Sequence, residues 1–270
     1  MLMIERLRPD ASARNARVVL FDFDGTLSLI RSGWVNVMVP MMVEILLDLK
    51  TGESEEQLRA LVEEYVARLT GKQTIYQMIE LARQVELRGG RPLDPLAYKK
   101  IYLARLHEKI RDRLEALRSG QAPPDQYLVP GARPLLEALH ERGLKMYLAS
   151  GTDQEYARQE ARLLDVERYF AGGVWGALDD YKSFSKQILI RRMIQAAECR
   201  GDELLGFGDG YVEIENVKEV GGVAVGVATD EPGCRQVDEW KRRRLIGVGA
   251  DFIIPNYLCL SELLEALFGQ

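Results

Sequence analysis

Little in this sequence invites thiolate or histidine chemistry. Its 270 residues hold three cysteines and two histidines. Cys199, Cys234 and Cys259 are widely spaced and odd in number, and no CxxC pair occurs. That pattern argues against a disulfide framework or a zinc site and fits a reducing cytoplasm. His107 and His140 are too few for a histidine-rich metal centre and read as residues of solvated helix faces. Long apolar runs are also missing. The longest, Trp34 to Leu47, is interrupted by Asn36, Pro40 and Glu44, so no membrane association is predicted. The opening MLMIERLRPDASARNARVV lacks the apolar stretch of a signal peptide. Basic runs are short: the densest cluster is Lys241 to Arg244, and the net charge is -5. A nucleic-acid partner is therefore not expected.

What remains is ordinary globular material, 47% hydrophobic and 29% charged. Arg17 to Phe21 (RVVLF) reads as a buried strand that ends on Asp22-Phe23-Asp24-Gly25-Thr26. From about Ser32 to Ser119 the periodicity is helical throughout. Ser54-Glu55-Glu56-Gln57 forms a capping box, Leu58, Leu61, Val62, Tyr65, Val66 and Leu69 follow at helical spacing, and Gly71 stops that helix. Thr74 is positioned to cap the next helix, and Ile101 to Leu117 marks a further one. After Gln121-Ala122-Pro123-Pro124-Asp125 strands and helices alternate. Strands are predicted at Leu144 to Ala149, Val174-Trp175, Leu204 to Phe207, Val223 to Ala228 and Phe252 to Ile254. Alternation of this kind implies right-handed crossovers and a parallel sheet. The expected fold class is thus α/β, with an all-helical insertion after the first strand.

Three polar groups fall at predicted strand ends: Asp22/Asp24, Ser150-Gly151-Thr152 and Asp209/Glu213. In open parallel sheets ligands bind beyond the carboxyl ends of the strands, so these groups are expected on one edge. Clustered carboxylates make a hard oxygen site suited to Mg²⁺. One carboxylate can attack phosphorus while a second protonates the leaving oxygen. Ser150-Gly151-Thr152 is predicted to cap the helix that follows it, where hydroxyl and N–H groups would cradle phosphate. A nearby lysine would offset charge on the phosphoryl oxygens.

Phe21-Asp22-Phe23-Asp24-Gly25-Thr26-Leu27 resembles the first motif of the haloacid dehalogenase superfamily, in which phosphatases predominate. Leu148-Ala149-Ser150-Gly151-Thr152 resembles the second motif, Lys186 or Lys182 the third, and Phe207-Gly208-Asp209-Gly210-Tyr211-Val212-Glu213 the fourth. The resemblance covers roughly residues 15–30 and 125–270. It implies a Rossmann-like core at 1–30 and 125–270 with a helical cap domain at 31–124, as in the phosphoglycolate phosphatase and beta-phosphoglucomutase types. It implies Mg²⁺ as cofactor, held by Asp22, Asp24, Asp209 and Glu213, and Asp22, Asp24 and Lys186 as catalytic residues. Asp22 would be the nucleophile and Asp24 the acid/base, with its backbone carbonyl on the metal. Phosphate or substrate contacts fall to Thr26, Ser150, Gly151, Thr152 and Lys72. Glu213 departs from the aspartate usual at its position, and its longer arm suits contact through a metal-bound water.

The implied partner is a small phosphorylated metabolite, a sugar phosphate or similar, hydrolysed through an aspartyl-phosphate. A phosphomutase of the same fold is an alternative, and a non-catalytic phosphate-binding module is another. Asp24 argues against a dehalogenase, which does not need that acid. Lys72 lies in Leu69-Thr70-Gly71-Lys72-Gln73-Thr74, read either as a substrate loop or as a solvated turn between helices. Lys72 is also the one residue that would suit a phosphonate-cleaving Schiff base. Oligomeric state is not legible.

Overall fold

The computed structural model describes residues 4–178, 185–231 and 233–269. In chain order the elements begin with β1 (Glu5–Arg6) and β2 (Val18–Phe21). Four helices follow: α1 (Val35–Leu47), α2 (Glu55–Leu69), α3 (Ile75–Leu87) and α4 (Pro95–Arg118). Next come α5 (Ala132–Glu141), β3 (Lys145–Asp153), α6 (Gln154–Leu163), β4 (Val174–Ala177) and α7 (Lys186–Ala196). The chain closes with β5 (Leu204–Gly208), α8 (Tyr211–Glu219), β6 (Val223–Val227), α9 (Glu239–Gly247), β7 (Phe252–Ile254) and α10 (Leu260–Phe268).

The sheet runs β1-β7-β6-β5-β2-β3-β4, and only the β1–β7 pairing is antiparallel. This is the expected α/β class. β2 sits between β3 and β5, with Phe21 level with Leu148 on one side and Phe207 on the other. The chain leaves β2 for β3 and later returns to β5 on the opposite side. That reversal opens a crevice at the carboxyl end of β2.

Strand residues alternate between two apolar layers. Val19, Phe21, Met146, Leu148 and Phe207 pack to one side. Val18, Leu20, Tyr147, Ala149 and Leu204 pack to the other with Leu189, Ile214 and Leu245 of α7, α8 and α9. Phe21 and Phe207 stack with centroids 4.7 Å apart directly beneath the first aspartate, which fixes the strand ends relative to one another. All four helices α1–α4 lie between β2 and β3, where the sequence places its helical insertion. Among the described residues, no helix is long and apolar enough to cross a membrane.

The predicted capping box at Ser54 and Gln57 forms in both directions. Two local expectations fail. Thr74 precedes α3 but is already helical and makes no side-chain cap bond. Ser150-Gly151-Thr152 does not start a helix: β3 runs on to Asp153 and α6 begins at Gln154. The longer strand pairs with β4 through a register shift between Ala149 and Asp153, which carries it past the expected end. Helices α8 and α9 were not anticipated, because α8 follows the glycine-rich Gly208-Asp209-Gly210 and α9 is largely charged.

Replacing Phe207 by alanine removes a fully buried ring from this stack. We expect a loss of about 3–5 kcal/mol in unfolding free energy, measured by urea titration. A loss under about 1 kcal/mol would show that the stack does not brace the strand ends.

Candidate active site

Asp22 follows the last residue of β2, and its backbone N–H donates to the Phe207 carbonyl at 2.9 Å. Its side chain is 8% exposed. Lys186, at the first position of α7, reaches the same crevice, and its Nζ donates to Asp22 Oδ1 at 2.7 Å. Ser185 caps that helix by accepting from the Ile188 N–H, so local capping fixes where Lys186 emerges. Lys186 also contacts Glu213 of α8. Burial pushes the Asp22 carboxyl pKa up; Lys186 opposes this, while Asp209 and Asp24 reinforce it. Lys182, the alternative lysine of the sequence reading, lies outside the described residues.

Asp24 Oδ2 accepts from Ser150 Oγ at 3.2 Å and from Thr152 Oγ1 at 3.0 Å. The two hydroxyls therefore orient an acid rather than crown a helix. Asp24 Oδ1 is buried without a hydrogen-bond partner among the described residues, 4.0 Å from Arg31 Nε. Arg31 is held in a two-pronged pair with Glu160 of α6, at 2.7–3.1 Å. Burial lifts the Asp24 pKa to about 6, against the pull of Arg31.

Asp209 follows β5. Its backbone N–H donates to Thr26 Oγ1 at 2.9 Å, and its Oδ2 contacts Lys241 of α9 at 2.9 Å. Lys241 also donates to Glu231 Oε1 at 3.1 Å. Arg31, Lys241, Glu160 and Glu231 were not singled out as site residues in the sequence. Arg31 carried one available signal, a basic residue near the Asp22/Asp24 motif, but only the fold joins the partners.

Asp22, Asp24, Lys186, Asp209, Gly151, Thr152 and Lys72 share a cavity of about 100 Å³. Trp34, Met38, Gln77 and Tyr102 of the helical insertion close its far side. Gln77 Oε1 is buried there without a partner among the described residues. Lys72 is exposed and its Nζ sits 5.9 Å from the Tyr76 ring centroid. Ser150 lines an adjoining cavity with Lys72, Gly151 and Lys186.

Two expected site residues sit elsewhere. Thr26 is fully buried, its hydroxyl accepts from the Asp209 N–H, and it does not line the cavity. Glu213 is 1% exposed, lies behind Lys186 and does not line the cavity. Among the described residues, no group of three or more His, Cys, Asp or Glu side chains is arranged to hold a metal ion. The donor chemistry nonetheless fits a hard dication at Asp22 and Asp209: all donors are oxygens, and Asp209 raises the cost of ionising Asp22. Glu213 does not fit a direct ligand role.

The insertion reaches the site through its α2–α3 loop. A Cβ on Gly151 would come within 3.0 Å of the Lys72 carbonyl, and one on Gly210 within 3.0 Å of Gly71 Cα. Arg244 of α9 hydrogen-bonds the carbonyls of Ala67, at the end of α2, and Arg68. Its guanidinium lies over Trp240 and Tyr211.

Residues 16–221 match the family model of haloacid dehalogenase-like hydrolases. No curated relative matches the chain. Several solved structures do. A predicted phosphoglycolate phosphatase of Haemophilus somnus aligns with TM-score 0.59 at 13% identity, covering 92% of this chain and 98% of its own. A proposed beta-phosphoglucomutase of Thermotoga maritima gives TM-score 0.52 at 20%, covering 92% and 100%. A haloacid dehalogenase family hydrolase of Deinococcus radiodurans, with bound phosphate and sodium, gives 0.54 at 15%, covering 94% and 97%. At such identities the likeness is one of fold.

The raised Asp24 pKa has a consequence for stability. Its neutral form is favoured in the folded state, so the stabilisation is complete below about pH 4 and lost as pH rises through about 6. Metal-free Asp24→Asn is therefore expected to gain stability relative to the parent between pH 4 and pH 7.5. Urea titrations in EDTA at both pH values measure it; a difference that does not change with pH would refute it.

Proposed function

The chain belongs to the haloacid dehalogenase-like hydrolases, and we propose that it is a Mg²⁺-dependent phosphatase of a small phosphate monoester. The observation that carries this reading is the meeting of Asp22, Asp24, Lys186 and Asp209 around one small cavity. Mg²⁺ would be held by Asp22, Asp209 and the Asp24 backbone carbonyl, and it would neutralise phosphate charge.

The remaining chemistry belongs to side chains. Lys186 holds Asp22 Oδ1, which leaves the other oxygen to attack phosphorus. The phosphorus–oxygen bond to the leaving alcohol breaks as Asp24 donates a proton to that oxygen. Water then attacks the aspartyl-phosphate, Asp24 takes its proton, and inorganic phosphate leaves with Asp22 regenerated. A pKa of about 6 suits a group that must give and regain a proton near neutrality. Ser150 and Thr152 keep that carboxyl turned toward the cavity. Lys186 offsets charge accumulating on the transferred group.

Helices α1–α4 act in this reading as a cap over residues 31–124. Trp34, Met38, Gln77 and Tyr102 would face the leaving group, an apolar wall with one amide. The docking of Lys72 on Gly151 favours the substrate-loop reading over a solvated turn. The small cavity suits a metabolite rather than a macromolecule. Three free cysteines agree with a reducing, cytoplasmic location. A mutase would use the same core, and the acceptor it phosphorylates would have to fit this cavity.

Two experiments test the reading. The parent protein is expected to release phosphate from p-nitrophenyl phosphate only with Mg²⁺, and Asp22→Asn to abolish release while keeping its circular dichroism spectrum. Near-normal turnover by the folded variant would sink the mechanism. Lys72→Ala should lower kcat/KM for the best metabolite found in a phosphate-release panel, while sparing p-nitrophenyl phosphate. Equal losses on both would mean that Lys72 serves the fold or the transferred phosphate.

A further inference from the structure

Lys241 is a half-buried ammonium that the catalytic reading leaves without a task. Its Nζ lies 2.9 Å from Asp209 Oδ2 and 3.1 Å from Glu231 Oε1. Its side chain is 13% exposed. Burial pulls its pKa down, yet Asp209 and Glu231 outweigh that and hold it above the ordinary lysine value. Both carboxylates converge on one glycine. A Cβ on Gly25 would come within 2.4 Å of Asp209 Oδ2 and 2.9 Å of Glu231 Oε1, and Gly25 takes φ +76°. Two anions packed so closely require a cation between them, and Lys241 is that cation. Glu231 sits in the loop after β6, and Lys241 in the first turn of α9. Neither lies in a motif of the sequence reading.

Asp209 is thus gripped at two independent points. Thr26 Oγ1 accepts from its backbone N–H, which fixes the main chain. Lys241 takes Oδ2, which fixes the side-chain rotation and leaves Oδ1 as the uncommitted oxygen. Asp209 lines the cavity beside Asp22, so the uncommitted oxygen is the one available to a cation there.

We propose that Lys241, backed by Glu231, is a positioning residue for Asp209: it binds one carboxylate oxygen so that the other is presented to a divalent cation. The inference rests on the reading of Asp209 as a cation ligand. An ammonium near a metal site repels the metal, but an oriented carboxylate loses less rotational freedom when it binds. Partners that orient metal ligands commonly contribute ten- to hundred-fold in affinity. Orientation is the larger effect if Lys241 works as proposed.

The test is the affinity of the substrate-free protein for Mn²⁺, by calorimetry and by loss of the free-ion electron paramagnetic resonance signal. Lys241→Met keeps the length of the side chain and removes its charge. We expect binding weaker by roughly 10- to 100-fold. Lys241→Arg should recover part of it, and the KM for p-nitrophenyl phosphate at saturating metal should be unchanged. Unaltered or tighter Mn²⁺ binding by folded Lys241→Met would overturn the proposal and make Lys241 a competitor of the metal. If that variant does not fold, Glu231→Gln decides. It keeps the lysine but loosens its seat, and should weaken binding several-fold; no weakening overturns the idea. Failure of the parent protein to bind Mn²⁺ would instead remove the metal reading itself, and this proposal with it.

Discussion

Crowding of negative charge at the carboxyl end of β2 is the constraint around which this molecule is organised. Asp22, Asp24 and Asp209 must stand within one small cavity, where burial makes Asp22 and Asp24 expensive to ionise. The fold meets the problem three times in the same way. Asp22 contacts Lys186, which contacts Glu213. Asp24 faces Arg31, which is paired with Glu160. Asp209 contacts Lys241, which is paired with Glu231. Each inner acid has a cation, and each cation has a glutamate behind it. The glutamate does not neutralise anything in the cavity. Its effect is to hold a long, flexible side chain in one place, so that the cation meets the aspartate in a defined geometry.

The same cations bind the parts of the chain together. Arg31 lies just before α1, while Glu160 belongs to α6, so their pair ties the root of the helical insertion to the sheet layer. Lys241 and Arg244 are one helical turn apart on α9 and therefore point the same way. One meets Asp209, and the other meets the last carbonyls of α2. Gly151 and Gly210 add the space that lets the α2–α3 loop approach the catalytic strand ends. A side chain at either glycine would hold the loop away and widen the cavity. The α2–α3 loop thus reaches the site only because residues distant in sequence leave room for it.

Much of this was legible in the sequence, for a physical reason. Short apolar runs such as Val18–Phe21 and Val223–Val227 bury both faces, so composition alone marks them as central strands. Ser54 and Gln57 signal a helix start because the capping box is local chemistry. Asp22, Asp24, Ser150 and Asp209 were expected on one edge because strand ends in a parallel sheet must gather there. The errors have equally specific causes. Ser150-Gly151-Thr152 looks like a helix cap, yet pairing with β4 extends the strand through it. Thr26 looks like a substrate hydroxyl because it borders the aspartates, but its backbone points it at Asp209 N. β1 was missed because two residues carry no periodicity.

Two of the glutamates, Glu160 and Glu231, lay beyond sequence reasoning, whereas Glu213 was expected in the site but as a metal ligand. Glu160 and Glu231 are ordinary acidic residues in a helix and a loop, and nothing local distinguishes them from solvated neighbours such as Glu155 or Glu215. What sets them apart is the third dimension: each pairs with a cation that faces one of the inner aspartates. Counted with Lys72 on the cavity wall, the cluster holds six carboxylates against four cations. A pure phosphate-binding module would be expected to carry the opposite balance, since an anion binds best where positive charge is in excess. An excess of buried negative charge repels a phosphate ester unless a further cation enters with it. That charge balance fits the metal-dependent reading proposed above better than a pure binding module.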